Sequence, residues 1–333
     1  MPGSVTSAFS EPEDFAAALR TEGCRGLLII GRGRFRARLT QITLHVIRLL
    51  TIEEELSRIA FVTVPTGIVQ IIFPITASPL PTLGGIAARS GEIVTLSPGE
   101  QVYVRTAGPS EIGTIWLPIK ELVRYSRALT GGPRTVPPAI QHWRPPAQAA
   151  RRLRSLHAAA TRMAANNPEA VVDAEAAHGL EQQLVQAVVE CLAGVSADAD
   201  GRSQRRHREI MARFEQLLHA QPKRSISITE ICAVLGVSQR LLRDLSSQHL
   251  GMGPVAYDRL RRMTLVRRAL RRGEGTAATI ANVAQNYGFS SPGRFAVSYR
   301  AAFGESPSTT ARRALERGDS DSLRTRELHE VLI

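Results

Sequence analysis

The stretch TEICAVLGVSQRLLRDLSSQHLGMGP, Thr229–Pro254, decides the fold because its pattern occurs twice. The second copy reads NVAQNYGFSSPGRFAVSYRAAFGESP, Asn282–Pro307. Ile231 falls on Val283, Cys232 on Ala284 and Gly236 on Gly288. After one inserted residue, Ser238 falls on Ser291, Leu242 on Phe295, Gly251 on Gly304 and Pro254 on Pro307. Each copy predicts a helix, a turn and a second helix. In the first, Thr229 is expected to cap a short helix ending near Leu235, Gly236 makes the turn, and Ser238 caps the second helix. In the second, Thr279 takes the cap, Gly288 the turn, and Ser291-Pro292 form an N-cap and first-position pair. One such pattern is common among helical hairpins; two in tandem are not.

Between the copies, Pro254–Arg272 predicts a single helix, with Tyr257, Leu260, Met263 or Thr264, and Ala269 or Leu270 toward an apolar side and Arg259, Arg261, Arg262, Arg267 and Arg268 around it. Gly273 stops it. A stiff rod between two reading units would fix their separation. Helices entering successive major grooves on one face of DNA sit about 34 Å apart.

Charge follows the repeat. The 333 residues carry a net charge of +12, and residues 202–317 alone hold 21 Lys+Arg against 8 Asp+Glu. That segment is therefore +13, and the remainder of the chain is −1. A salt-bridged helix face would mix the signs, whereas a surface for a polyanion explains the block. An anionic membrane would want an uninterrupted amphipathic helix with aromatic anchors, and this segment is broken by turns. No apolar run reaches the ~18–20 residues of a membrane helix. The opening MPGSVTSAFSEPEDF has no basic flank or apolar core, so no secretory leader is expected. Cys24, Cys191 and Cys232 are odd in number and far apart, which excludes a disulfide framework or a four-cysteine zinc site and fits a reducing cytoplasm.

The runs LGVSQRLLRDL, GMGPVAYDRLRRMTLVRRAL and IANVAQNYGFSSPGRFAVSYRAAFGESP, with the closing ARR, resemble the AraC/XylS family of bacterial transcription regulators over residues 205–313. The resemblance implies two helix-turn-helix units joined by a long helix, binding double-stranded operator DNA and recruiting or blocking RNA polymerase. It implies more loosely that the N-terminal part is the family's cupin-like domain for a small-molecule effector and for dimerisation. Two departures stand out. Ser246 occupies a place where the family usually has an aromatic, kept as Tyr299 in the second copy, and Asp244 puts a negative charge where a basic or neutral residue is common.

Recognition helices present their N-terminal residues to base edges. In the first copy these are Gln239, Arg240 and Arg243; in the second, Gly293, Arg294 and Val297. Arginine grips guanine and glutamine grips adenine through two bonds, valine meets a thymine methyl, and glycine lets the backbone approach. Ser238, Ser291 and Arg300 are expected at phosphates, which position without reading sequence. The alternative for each arginine is a solvated or phosphate-bound side chain. Leu242, Leu245, Phe289, Phe295 and Phe303 are expected in the core.

Residues 27–117 predict many short strands, such as Arg58–Val64, Val69–Ile75, Ile93–Leu96, Val102–Arg105 and Ile112–Leu117, separated by turn formers. Phe35, Ala37 and Leu39 alternate with arginines, giving one wet face. A helix follows Pro118, then helices over Ala147–Ala165 and Pro168–Leu192. In the latter, Leu180, Leu184, Val188 and Cys191 form a stripe that fits either its own domain or a second copy of the chain. The fold class expected is α+β and multidomain: residues 1–140 a cupin-like β-sandwich or barrel, 141–193 a helical connector with possible dimerisation helices, and 194–204 a linker. Residues 205–317 form an all-α tandem helix-turn-helix domain and 318–333 a loose tail.

Gly91-Glu92 and Pro98-Gly99 resemble the second conserved stretch of cupins, but no metal-binding histidine follows, and no His-x-His pair occurs in the chain. No metal site and no cofactor are expected. Neither a Gly-x-Ser-x-Gly elbow nor a phosphate-binding glycine loop is present, so the chain reads as no enzyme. Phe61, Phe73, Tyr103 and Trp116 are candidates to line a small-molecule pocket, or are plain core. The sequence thus reads as a cytoplasmic, sequence-specific transcription regulator, an activator governed by an effector or partner at the N-terminal domain. The alternative is a ligand-independent DNA-binding protein whose β domain only oligomerises. An enzyme with a DNA-binding appendage, such as an alkyl-transfer repair protein, would need clustered thiolates that three isolated cysteines do not give.

Overall fold

The computed structural model describes residues 2–75, 79–130, 139–193, 195–197, 201–273 and 280–316. The chain divides into two compact units, Met1–Ala212 with Gln248–Gly251, and Arg213–Ser247 with Met252–Ile333.

The first unit is β-rich. Its strands are β1 (Gly3–Phe9), β2 (Cys24–Ile29), β3 (Ala37–Thr43), β4 (Arg48–Glu54), β5 (Arg58–Thr63), β6 (Ile68–Pro74), β7 (Thr82–Leu83), β8 (Ile86–Ala87), β9 (Ile93–Leu96), β10 (Gln101–Arg105), β11 (Ser110–Pro118), β12 (Gln141–Arg144) and β13 (Val195–Ala197). Every pairing is antiparallel. The larger sheet runs β1-β3-β4-β11-β6-β9-β12-β13 and the smaller β2-β5-β10-β7-β8; neither closes on itself, so the architecture is a sandwich rather than a barrel. Helices α1 (Pro12–Arg20), α2 (Ile119–Thr130), α3 (Ala147–Asn166), α4 (Glu169–Val172) and α5 (Ala174–Leu192) complete the unit.

Strand alternation gives the larger sheet two apolar faces. Leu39, Leu50, Trp116, Ile72, Val94 and Ile112 face the smaller sheet, where Leu27, Ala60, Val102 and Val104 meet them. Their neighbours Ile42, Leu49, Ile71, Phe73, Ile115 and Leu117 point the other way, onto α3 and α5. The stripe on α5 is buried there: Leu184, Val188 and Cys191 are closed off within the unit and Leu180 packs at its margin. Glu181, between them and 1% exposed, accepts from the backbone N–H of Val46 and Ile47 at 2.7 and 3.2 Å, which ties α5 to the β3–β4 turn. His157 on α3 packs edge-on to Phe73, its Nε2 3.2 Å from Leu50 O. Burial holds that imidazole down at about 4, against the raising effect of its backbone bonds to Leu50 and Thr114.

The second unit is helical. The helix α6 (Arg202–Ala220) enters it, followed by α7 (Ile228–Leu235), α8 (Gln239–Leu250), α9 (Pro254–Arg271), α10 (Ile280–Asn286) and α11 (Pro292–Phe303), with residues 307–316 helical beyond. Of the stretch expected as a linker, Val195–Ala197 pairs with β12, and α6 begins at Arg202. Residues 131–138 at the end of the expected β domain, the expected cap Thr279 and the tail 318–333 lie outside the described residues.

Candidate nucleic-acid interface

Each repeat copy folds as a helix pair. Ser227, not Thr229, caps α7: its side chain accepts from Glu230 N at 3.2 Å. The signal was present as Ser-x-x-Glu, Ser227 to Glu230, the spacing of a capping box. Gly236 ends α7 at φ +68°, a conformation that costs a residue with a Cβ about 1 kcal/mol or more. Ser238 then caps α8 by accepting from Leu241 N at 3.2 Å. In the second copy Gly288 turns at φ +78°. Pro292 opens α11 after Ser291, whose side chain makes no cap bond.

The two copies are cored differently. In the second, α10 and α11 close on the C-terminal half of α9 through Met263, Val266, Leu270, Val283, Phe295 and Tyr299. Phe289, Phe295, Tyr299 and Phe303 form a chain of rings with centroids 4.6–5.5 Å apart. Phe303 is only half-buried. Tyr299 is fully buried and its hydroxyl lies 2.9 Å from Thr310 Oγ1. Ser246 fills the matching place in the first copy; it is equally buried, and its hydroxyl has no partner. Leu242 and Leu245 are core as expected.

The sequence-derived reading residues fall on the outward faces of α8 and α11. Arg240, Arg243, Gly293, Arg294 and Arg300 are exposed, and Val297 is 72% exposed, the most exposed large apolar side chain among the unit's described residues. Among the described residues, Arg240, Arg294 and Arg300 have no acidic partner. Gln239 is half-buried and braced, donating to Thr229 Oγ1 at 3.4 Å and accepting from Arg243 at 3.1 Å. Ser238 is exposed and Ser291 half-buried. A Cβ on Gly293 would meet nothing within 4 Å, so the N-terminus of α11 is open to an approaching surface.

The arginines of α9 are a different population. Arg262, 5% exposed, donates to Asp258 Oδ2 at 2.9 Å, to Tyr287 O at 2.9 Å and to Ser225 Oγ at 3.3 Å, and lies over the Phe289 ring. It joins the connecting helix to the turn of the second copy and to the lead-in of the first. Arg261 donates to Leu218 O at 2.9 Å and approaches Glu215, which also accepts from Tyr257 at 2.9 Å. Arg259 donates to Ser298 on α11 at 2.5 Å, and Arg267 lies over Phe303 beside Glu305. The block charge suggested solvated or phosphate-facing side chains here. The spacing Asp258 to Arg262, one helical turn, was the available sign of internal pairing.

A helix-turn-helix domain model matches residues 231–313. The XylDLEGF operon transcriptional activator of Pseudomonas putida is 37% identical over 100 residues, 30% of this chain and 31% of that one. Over this domain the chain is similar to regulators of the AraC/XylS family. A solved structure described as a probable AraC family transcriptional regulator from Rhodopseudomonas palustris is 32% identical, covering 32% of this chain and 97% of that one, with a TM-score of 0.30. The AraC-like transcriptional activator CuxR is 15% identical over 85% of this chain and 98% of its own, with a TM-score of 0.43. The chain spans about a third of the length of the first P. putida relative. The AraC/XylS-type domain is what is shared.

The four aromatics expected around an effector do not face one space. Trp116 lies between the sheets, and Phe73 lies on the opposite face of the larger sheet, against the helices. Phe61 and Tyr103 are cross-strand partners with ring centroids 5.0 Å apart, on the smaller sheet's other face from the inward Ala60 and Val104. Among the described residues no group of three or more His, Cys, Asp or Glu could hold a metal ion, and no helix is long and apolar enough to cross a membrane. The three cysteines are separate buried thiols, and burial followed by the Glu190 charge pushes Cys191 up to about 12.

Proposed function

We propose that the protein is a sequence-specific, cytoplasmic transcription regulator that acts by binding rather than catalysis. Its helices α8 and α11 lie in successive major grooves of operator DNA. Arg240, Arg243 and Gln239 read one groove, and Arg294, Val297 and the Gly293 backbone read the next. Ser238, Ser291 and Arg300 hold phosphates. The observation that carries this reading is the sorting of arginine. On α9, Arg261, Arg262 and Arg267 face carboxylates inside the domain, while Arg240, Arg294 and Arg300 stand exposed with no acidic partner among the described residues. Exposed arginines on the outward faces of these helices are what base and phosphate contacts need.

The functional division we assign is 1–140 regulatory, 141–193 helical and 205–317 DNA-binding. The named role of the P. putida relative supports activation, with RNA polymerase as a further partner. The regulatory unit receives a small molecule, and a homodimer of it would double the half-sites. Footprinting the full chain on DNA upstream of its own gene tests the reading. A protected site spanning two turns, with two boxes whose mutation each abolishes protection, is expected. Equal affinity for random duplex would overturn it.

A further inference from the structure

Of the arginines within α9, Arg259 alone is exposed. It makes no ion pair among the described residues; its guanidinium reaches across to α11 and donates to Ser298 Oγ at 2.5 Å. We propose that Arg259 is a phosphate clamp for the second recognition helix. It grips the DNA backbone that walls the groove entered by α11, and so fixes the register of that helix. The inference rests on the reading above that α11 lies in a major groove.

Position selects a phosphate over a base. An α-helix with its side chains is about 10–12 Å across and the major groove about 12 Å wide, so a helix lying there fills it. Side chains from an adjoining element then meet the walls of the groove, which are phosphates, rather than base edges. Arg259 comes from such an element. Ser298 lies one turn beyond Arg294 on α11 and donates to Arg294 O at 2.8 Å, so the clamp closes beside a residue assigned to base reading.

Charge points the same way. Asp258, next to Arg259 in the chain, is 3% exposed and held by Arg262, which leaves it turned away from the outer face. Arg259 therefore adds to Arg294 a second guanidinium without an acidic partner among the described residues, and a phosphate supplies the missing anion. The bond to Ser298 prepares the contact. An arginine already held by a hydroxyl has less rotamer freedom to lose on gripping DNA, and Ser298 occupies only part of its five-donor fork. The first copy lacks this device: the repeat puts Leu245, apolar and buried, at the place of Ser298. The clamp serves the second box alone.

Anisotropy titrations of the full chain test this on the two-box operator, on a duplex cut to the first box and on one cut to the second, across salt from about 50 to 200 mM. R259A should weaken binding to the two-box and second-box duplexes roughly three- to tenfold and lower the salt slope by about one. It should relax no base position and leave first-box binding unchanged. R259K keeps the charge without the planar fork, so it should restore the slope and part of the affinity. Should R259A melt below the wild type, R259Q takes its place with the same expectation. An unchanged slope, a loss confined to one base pair, an equal loss on the first-box duplex, or R259K no better than R259A each overturns the clamp. A wild-type chain that binds every duplex like random DNA sinks the operator reading instead. The clamp is then judged on random duplex, where R259A must still lower the slope by about one.

Discussion

Replacing Arg262 by Met removes the group that three parts of the DNA-binding unit share. The guanidinium satisfies Asp258, Tyr287 O and Ser225 together and covers Phe289. Asp258, 3% exposed, keeps only the more distant influence of Arg261, and burial already pushes its carboxyl above the ordinary range. Breaking a buried pair from one side costs about 3–5 kcal/mol, because a desolvated charge is left behind. For a domain of ~100 residues, each kcal/mol is worth roughly 4–8 °C, so a loss of at least ~12 °C in Tm is expected. Removing both partners, as D258L/R262M, should recover most of it, since an apolar pair of similar volume is often neutral. R262K keeps the charge but not the planar fork, and should lie between. The functional readout is fluorescence anisotropy on duplexes with two boxes or one. Below the melting temperature R262K should lose more affinity for the two-box duplex than for either single box, because the separation of α8 and α11 is what it loosens. If R262M melts within ~2 °C of wild type, or if R262K weakens all duplexes equally, the hub does not exist.

R294A should cost about 1–3 kcal/mol of operator binding and relax one base position, while R300A should weaken all sequences alike and reduce the salt slope by about one; competition titrations against mutated boxes separate the two. His157 sets an acid limit on the N-terminal unit. Its folded-state value of about 4 lies below the unfolded ~6.5, so protons favour the unfolded chain and roughly 3 kcal/mol is lost as pH falls from 6.5 to 4. Glu54 and Glu111, raised by burial, act in the opposite sense over that range, so the comparison to make is the pH slope of denaturant midpoints for wild type and H157Q, which should be flatter. L184A should cost about 2–5 kcal/mol of stability and leave the oligomeric state unchanged by sedimentation, because that side chain is wholly inside its own unit. S246A should stabilise the domain by about 1 kcal/mol and so raise its Tm, as it removes a buried hydroxyl without a partner and improves helix propensity.

The tandem helices were legible because their signals are local. Gly236, Ser238, Gly288 and Pro292 fix backbone geometry by their own chemistry, and the structure has the turns and helix starts there. The N-terminal unit was legible as strands but not as faces. Phe73 and Trp116 sit three residues apart in neighbouring strands' register, on opposite sides of one sheet, and only the pairing of β6 with β11 decides which side each takes. Strand β1, GSVTSAF, is too weakly apolar to announce itself and is held by seven residue pairs to β3. The α5 stripe was readable as apolar, but a helical period cannot tell an internal partner from a second chain. Glu181 in its midst, satisfied by two backbone N–H groups, makes it internal.

A net charge is a poor count of the charges available to DNA, and this domain shows why. Arg261, Arg262 and Arg267 belong to the +13 block, yet each faces a carboxylate within the domain: Glu215, Asp258 and Glu305. Several of the block's acidic residues are thereby accounted for in pairs. Coulomb attraction to a phosphate falls with distance and is screened over about 8 Å at physiological salt, so an arginine held inside contributes rigidity rather than affinity. Of the arginines left exposed, Arg240, Arg243, Arg294 and Arg300 lie on α8 and α11, where they are close enough to matter. The division follows from position on the helices: α9 is enclosed along much of its length and must satisfy its guanidinium groups internally, whereas α8 and α11 each bury one face and leave the other to the solvent. Adding a carboxylate opposite Arg240 or Arg294 would therefore be more damaging to binding than adding one anywhere on α9.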